Sequence, residues 1–235
     1  MEKELEYDLV VVGAGPAGSS AAYMAAKNGV KVALIEKEES VAHSVRTSGV
    51  TWLDTIEEFG IPDDCYNPIK NYSFCSPNNK VTISDKVSRS AVLDVRKTYR
   101  WLSSQAEKQG VDIFLKTNVI DVIKDNQEMI IGVKAGSSDE EFNFHCKVVI
   151  DASGFQSVVA KAMGLVTQWE RFGAGAEWEV KAEHADSQTW WLMVGQEYSP
   201  AGYAWIFPLG NNIVRIGVGV GKPESTIDPT QRLKE

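Results

Sequence analysis

The sequence predicts an α/β fold in which a parallel-sheet βαβ domain carries an inserted antiparallel β-sheet. Three observations predict it. Near the N-terminus a glycine turn, Gly13-Ala14-Gly15-Pro16-Ala17-Gly18, joins a short apolar run to a small-residue helix. Later, a second apolar run, Lys147-Val148-Val149-Ile150, ends in Asp151-Ala152-Ser153-Gly154. The last third alternates large and small or charged residues with a period of two, which marks half-buried strands rather than further βαβ units.

The N-terminal unit sets the terms for the rest. Val10-Val11-Val12 reads as a buried strand, and a helix containing Ala21, Ala22, Ala25 and Ala26 closes at Asn28-Gly29. A second strand, Lys31 to Ile35, ends in Glu36. Gly13 permits the tight turn, Gly15 lets the backbone come close to a pyrophosphate, and Gly18 lets the helix pack on the strands. The helix N-terminus offers unpaired N–H groups and the positive end of a dipole to phosphates. Glu36 stands 18 residues after Gly18, where its carboxylate can accept both hydroxyls of an adenosine ribose. The unit is a Rossmann-like dinucleotide site.

After Glu36 the chain turns polar through Ser44 to Trp52, and a helix is expected from Leu53 to Phe59, stopped by Gly60 and Pro62. Tyr72 to Cys75 and Lys80 to Ile83 read as strands around the turn Ser76-Pro77-Asn78-Asn79. Val92, Val95, Tyr99, Leu102 and Ala106 fall at helical spacing and predict a helix over 92–108, ended by Gly110. Strands follow at Val111 to Leu115, Val119 to Ile123, Ile130 to Ala135 and Phe142 to Cys146. In the last third, Phe172 to Glu183, Thr189 to Val194, Tyr203 to Leu209 and Val214 to Val220 read as strands, the first with one buried face. Gly217, Gly219 and Gly221 leave one face of the final strand bare, as the approach of a flat ring or another backbone requires. Residues 1–62 and 91–165 are thus expected to form the dinucleotide domain, and 63–90 with 166–222 an antiparallel substrate domain. The tail 223–235, with Asp228-Pro229-Thr230 as a helix start, reads as the beginning of a further C-terminal region.

Composition narrows the function. A net charge of −8 without a basic run argues against a nucleic-acid partner. No apolar run approaches the ~20 residues of a membrane-spanning helix, and the start lacks a signal-peptide pattern. The expected address is cytoplasmic, with peripheral membrane contact left open. Cys65, Cys75 and Cys146 show no CxxC spacing, and His43, His145 and His184 no ligand pattern, so neither a disulfide framework nor a metal site is expected.

The glycine turn followed by Ala22 and Gly29, together with the second strand ending in Asp151 to Gly154, narrows the dinucleotide to FAD. Asp151 and Gly154 then join Gly13 and Gly15 as cofactor-side positions. At these residues the chain resembles the geranylgeranyl reductase family of FAD enzymes, digeranylgeranylglycerophospholipid reductase-like flavoproteins with a para-hydroxybenzoate hydroxylase-like fold. The most specific piece is Pro200-Ala201-Gly202-Tyr203-Ala204-Trp205-Ile206-Phe207-Pro208, which matches that family's PxxYxWxFP signature at each fixed position. The resemblance runs from Tyr7 to about Gly221.

It implies a flavoprotein that saturates isolated C=C bonds of isoprenoid chains in membrane lipid biosynthesis, with an isoprenoid lipid as substrate and an external electron donor. That donor is open among a nicotinamide, a deazaflavin and a ferredoxin. By resemblance, Ala17, Gly18 and Glu36 hold the ADP half of FAD, and Arg46, Thr47, Ser48 and Gly49 lie along the pyrophosphate and flavin. Arg96 and Val119 complete the adenine side. As the cation of a loop just beyond Glu36, Arg46 can neutralise a diphosphate bidentately. Tyr203, Trp205 and Phe207 alternate on one strand and would form an aromatic wall for an apolar chain, with Tyr203 also the candidate catalytic proton donor. Thr47 occupies the place where many family members have cysteine. The family's Gly-Asp-rich turn and C-terminal helices, expected beyond residue 222, have no counterpart in the sequence. Two alternatives stay open: a flavin-dependent monooxygenase or halogenase on the same fold, and a non-catalytic fragment or half of a split flavoenzyme that needs a partner chain.

Overall fold

The computed structural model describes residues 2–138, 140–166 and 169–235. Over these residues the chain runs β1 (Glu2–Glu6), β2 (Leu9–Val12), α1 (Pro16–Lys27), β3 (Val32–Ile35), β4 (Val50–Trp52) and α2 (Leu53–Phe59). It continues through β5 (Tyr66–Ile69), β6 (Asn71–Cys75), β7 (Lys80–Ser84), β8 (Ser90–Leu93), α3 (Val95–Lys108) and β9 (Asp112–Phe114). Then come β10 (Asn118–Lys124), β11 (Ile130–Gly136), β12 (Glu141–His145), β13 (Val148–Asp151) and α4 (Val158–Ala162). The last elements are β14 (Phe172–Lys181), β15 (Thr189–Gly195), β16 (Ser199–Gly210), β17 (Ile213–Lys222) and α5 (Pro229–Lys234).

The chain divides into two compact units, Met1–Val45 with Arg96–Thr167 and Arg46–Val95 with Gln168–Glu235. This moves 46–62 and 91–95 out of the dinucleotide domain expected from the sequence. The cause is a small sheet of order β4-β8-β5, in which Ser90 to Leu93 pair with Val50–Trp52 on one side and Tyr66–Ile69 on the other. Val92 is therefore a buried strand residue rather than the first residue of a helix, and α3 starts only at Val95. Residues 167 and 168, at the expected junction between the domains, lie outside the described residues.

In the first unit a parallel sheet of order β13-β2-β3-β9 carries the βαβ crossover. All-apolar strands such as Leu9–Val12 and Val32–Ile35 are fully buried because both faces of a parallel sheet are covered. One face packs on a core of Leu9, Val11, Ala22, Leu34, Ala106 and Val111. The other packs Val10, Val12, Ala33 and Ile35 on Val133, Phe142 and Phe144. Those last residues come from a separate sheet of order β1-β12-β11-β10, in which the charged N-terminal run Glu2–Glu6 pairs in parallel with Glu141–His145. Sequence pattern does not announce β1, because its run of glutamates and lysine offers only Leu5 to the core, and cross-strand contacts such as Glu4 with Asn143 and His145 add to the backbone pairing.

The second unit is built on a mixed sheet of order β14-β17-β16-β15-β6-β7. The expected hairpin 71–84 is present, and β6 also pairs in parallel with β15, 118 residues further on at Asn71–Thr189. Ile69, Tyr72, Val92, Trp205 and Phe207 form its core. The tail starts a helix as expected, with Asp228 Oδ1 accepting from the Thr230 N–H at 2.7 Å. No helix of the described residues is long and apolar enough to cross a membrane.

Candidate functional site

The glycine turn lies at the carboxyl ends of β2 and β3, where open α/β sheets bind ligands. Its glycines have distinct reasons. Gly13 has φ +101°, and a Cβ there would lie 2.5 Å from the Ala152 carbonyl oxygen. A Cβ on Gly18 would overlap the Gly13 carbonyl and come within 3.1 Å of the Ala152 Cβ. The glycine turn and the Asp151–Gly154 turn therefore pack directly against each other, which requires glycine. At Gly15 a Cβ would meet nothing within 4 Å, so its bare side faces open space. Gly15 is the N-cap of α1, no side chain caps that terminus, and Pro16 gives up a donor that would be unpaired there. The first turn of α1 thus presents backbone N–H groups and its dipole to an open cradle, with Ala17 and Gly18 in it.

Glu36 follows β3 and is locked to that turn. Its Oε2 accepts from the Ala14 N–H at 2.9 Å, and Oε1 from the Glu38 N–H at 3.0 Å. Each carboxylate oxygen keeps capacity for one further donor, which suits a pair of ribose hydroxyls. The residues present fit the ADP half of FAD: an open anion cradle, a backbone that approaches closely, and an oriented acid.

The Asp151 turn does a different job from the one expected of its side chain. Asp151 Oδ1 accepts from the Ser153 hydroxyl and N–H, and Oδ2 accepts from the Ala160 N–H at 2.8 Å. Ser153 Oγ in turn accepts from the Val158 N–H at 2.8 Å. Together they cap α4, whose own N-cap position, Ser157, has left-handed geometry and no capping side chain. Burial pushes the Asp151 carboxyl up, but the hydrogen bonds from Ser153 and the backbone N–H groups outweigh this and hold it below the usual carboxylate range. Its carboxylate is committed to the helix; what faces Gly13 is the backbone of Ala152 and Ser153. Gly154 has φ +67° and open space at its Cβ position.

Arg96 and Val119 stand on separate elements of the same unit. Arg96 is half-buried in the first turn of α3, and Val119 is a buried residue of β10 beside a break in register between Val119 and Asp121.

In the second unit, Arg46, Thr47 and Ser48 form an irregular loop before β4, and Gly49 ends it with φ +77°. The loop is fastened at that end: Gly49 O accepts from the Leu93 N–H at 2.8 Å, and Ser48 O accepts from Arg215 Nη1 at 2.7 Å. Arg215 is the residue that sequence reasoning missed. It sits on β17, only 1% exposed, with Nη2 donating to Glu179 Oε1 at 2.7 Å. The available signal was its position: one charge on a strand face that continues in Gly217, Gly219 and Gly221, opposite a strand bearing Glu177 and Glu179.

The aromatic residues of β16 do share a face. Tyr203, Trp205 and Phe207 pair with Gly219, Gly217 and Arg215 of β17, and their rings follow one another at 5.7 Å and 6.1 Å. They differ in access. Tyr203 is 44% exposed, Trp205 8% and Phe207 3%, and Phe207 packs in the core against Trp190. The bare glycines are explained by the protein itself: a Cβ on Gly217 would overlap the Trp205 indole, and those on Gly219 and Gly175 would touch it at 3.5 Å and 3.7 Å. Beyond the indole, Gly219, Gly221, Tyr203 and the edge of Trp205 line an open cavity of about 520 Å³, which also involves Arg171, Lys222 and Glu224. Phe207 does not line it. The expected single buried face of β14 is also not clean. Phe172 and Trp178 are exposed, whereas Glu177 and Glu179 turn toward Arg215 because register places them beside it.

Residues 6–219 match the family described as FAD binding domain. A digeranylgeranylglycerophospholipid reductase of Methanocaldococcus jannaschii is 35% identical over 221 residues, covering 91% of this chain and 55% of that one. Another of the same name from Methanococcoides burtonii is 30% identical, covering 91% of this chain and 54% of its own. The chain thus spans about half the length of the curated relatives it matches. A geranylgeranyl bacteriochlorophyll reductase-like protein of Thermoplasma acidophilum superposes with a TM-score of 0.88 at 26% identity, over 98% of this chain and 61% of that one. A flavin-dependent brominase superposes with a TM-score of 0.71 at 21% identity, a likeness of fold alone. With its glycine cradle, its locked acid and this match over residues 6–219, the chain belongs to the FAD binding domain family and takes FAD as its cofactor.

Proposed function

We propose that the protein of which this chain is or forms part is an FAD-dependent reductase that saturates C=C bonds of geranylgeranyl chains on a membrane lipid. The observation that carries the reading is the strand Pro200–Pro208, whose Tyr203 and Trp205 border an open cavity floored by glycine. An apolar tail fits the aromatic and glycine part of this lining, while two of its charged residues, Arg171 and Glu224, pair with each other. The names of the relatives support the substrate class.

In this reading Gly13, Gly15, Ala17, Gly18 and Glu36 hold the ADP half, with Arg96 and Val119 toward the adenine. Arg46, Thr47, Ser48 and Gly49 serve the pyrophosphate and flavin. Asp151 acts only through its cap on α4, and Gly154 through its backbone. When bound and reduced, FAD supplies a hydride to one alkene carbon. In this reading Tyr203 Oη delivers or relays the proton to the other carbon, so the double bond becomes a single bond carrying two more hydrogens. Trp205 shapes the wall beside Tyr203, and Phe207 supports Trp205 from the core. The electrons come from an external donor, and the long apolar substrate argues for contact with a membrane surface.

The test is direct. Protein reconstituted with FAD, reduced chemically and incubated with a geranylgeranyl lipid should yield product heavier by two hydrogens per bond reduced. Hydroxylated or halogenated product with rapid nicotinamide oxidation would replace this reading by the monooxygenase or halogenase alternative. Wild-type protein that never acquires a visible flavin band would favour a chain that needs a partner.

A further inference from the structure

We infer that Arg215 is a positioning residue for the flavin-side loop, fixing Arg46 to Gly49 through the Ser48 carbonyl. This rests on the reading that the loop serves the pyrophosphate and flavin. Burying a guanidinium strips its hydration, so a site that keeps one must recover that cost in fixed partners. Arg215 has such partners. Nη2 meets Glu179 Oε1 at 2.7 Å, and Nε lies 3.8 Å from Glu177 Oε1. With the acids occupying one edge of the fork, Nη1 points at two backbone carbonyls, Ser48 at 2.7 Å and Leu93 at 3.4 Å.

Those carbonyls belong to the end of the loop and to β8, the strand that pairs with β4 just after the loop. Leu93 N–H also donates to Gly49 O at 2.8 Å, so loop, small sheet and guanidinium close into one bracket. Gly49 completes it. Its φ of +77° favours glycine, and a Cβ would come 2.8 Å from Arg215 Nη1 and 2.9 Å from Val95 Cγ2. The planar fork is what allows a single side chain to hold acids on one edge and carbonyls on another; a lysine at the same place is a point charge and cannot span both.

Titration of the chain with AMP and with FAD separates positioning from general damage, because AMP carries the adenosine and single phosphate that the βαβ unit takes and lacks the diphosphate and flavin assigned to the loop. In wild type, FAD should bind more tightly than AMP. Arg215→Lys should weaken FAD by about 10- to 100-fold, the loss of a charge-assisted hydrogen bond, and alter the bound flavin's visible circular dichroism. AMP affinity should stay within about twofold, as for a site that shares no partner with Arg215. Should that variant fail to fold, Glu179→Gln takes its place, with FAD weaker by at least about threefold and AMP unchanged. Gly49→Ala combined with Arg215→Lys should cost less than the sum of the two, because both break one bracket. Unchanged FAD affinity and unchanged flavin dichroism in a folded variant would overturn the proposal, and so would FAD and AMP affinities falling together. Wild type binding FAD no more tightly than AMP would instead remove the loop's flavin-side assignment, whatever Arg215 does.

Discussion

Gly15 and Gly18 stand three residues apart in one turn, yet a methyl group added to each meets opposite surroundings. At Gly18 it strikes the Gly13 carbonyl, and at Gly15 it meets open space. Gly18→Ala should therefore destabilise the fold by about 1–3 kcal/mol or more, as overpacking does, and chemical denaturation will show it. Gly15→Ala should leave stability within about 0.5 kcal/mol of wild type. It should nevertheless weaken ADP and FAD by about tenfold or more, since it fills the space through which a phosphate reaches the N–H groups. Equal effects of the two on stability would contradict the structure. Both glycines were legible as a motif in the sequence, because a turn's backbone demands are local. So was their division of labour; what was not legible was the packing of this turn against Ala152, which is 134 residues beyond Gly18. Arg215 was illegible for the same reason: its partners Ser48 and Leu93 come from a loop and a strand distant in sequence.

Among the elements, β17 and the Asp151 turn show how one pattern can serve two ends. The glycine stripe was correctly read as room for a flat ring, and the ring nearest it is Trp205. Gly217→Ala should cost about 1–3 kcal/mol through collision with the indole. Adding Trp205→Leu should recover part of that loss, which a double-mutant cycle measured by urea melts will detect as non-additivity. The Asp151 turn predicts a pH effect. Its folded carboxyl titrates below the value of about 3.9 for an unfolded aspartate, so its contribution is fully present above that pH. The contribution is lost as the pH falls through the lower folded value. Asp151→Asn should thus lose about 1–3 kcal/mol at pH 7, and the gap from wild type should narrow as the pH falls below the unfolded value and through the lower folded one. A gap that stays constant with pH would mean that the carboxylate's charge plays no part in capping α4.

At the scale of the whole molecule, each unit carries its own core and its own share of the chemistry. The βαβ unit alone presents the cradle for the ADP half, so ADP should stabilise the chain by simple linkage. At a free concentration of about 100 times Kd, the gain is about 2.7 kcal/mol, visible as a raised Tm. No shift with ADP, alongside a flavin-free wild type, would count against the cradle. What the sequence determined by itself was the local part: the glycine turn, the acid 18 residues on, the strand that carries the aromatic signature, and the order of most elements. Period, turn chemistry and backbone geometry write these into neighbouring residues. Only the tertiary structure decided which strands pair across the chain: β1 with β12, β6 with β15, and β8 between β4 and β5. The β8 pairings place 46–62 in the second unit, while side-chain hydrogen bonds make Asp151 a helix cap and bury Arg215 beneath the loop it holds. These arrangements rest on backbone hydrogen bonds and on the partners a buried charge must find, and neither leaves a period in the sequence.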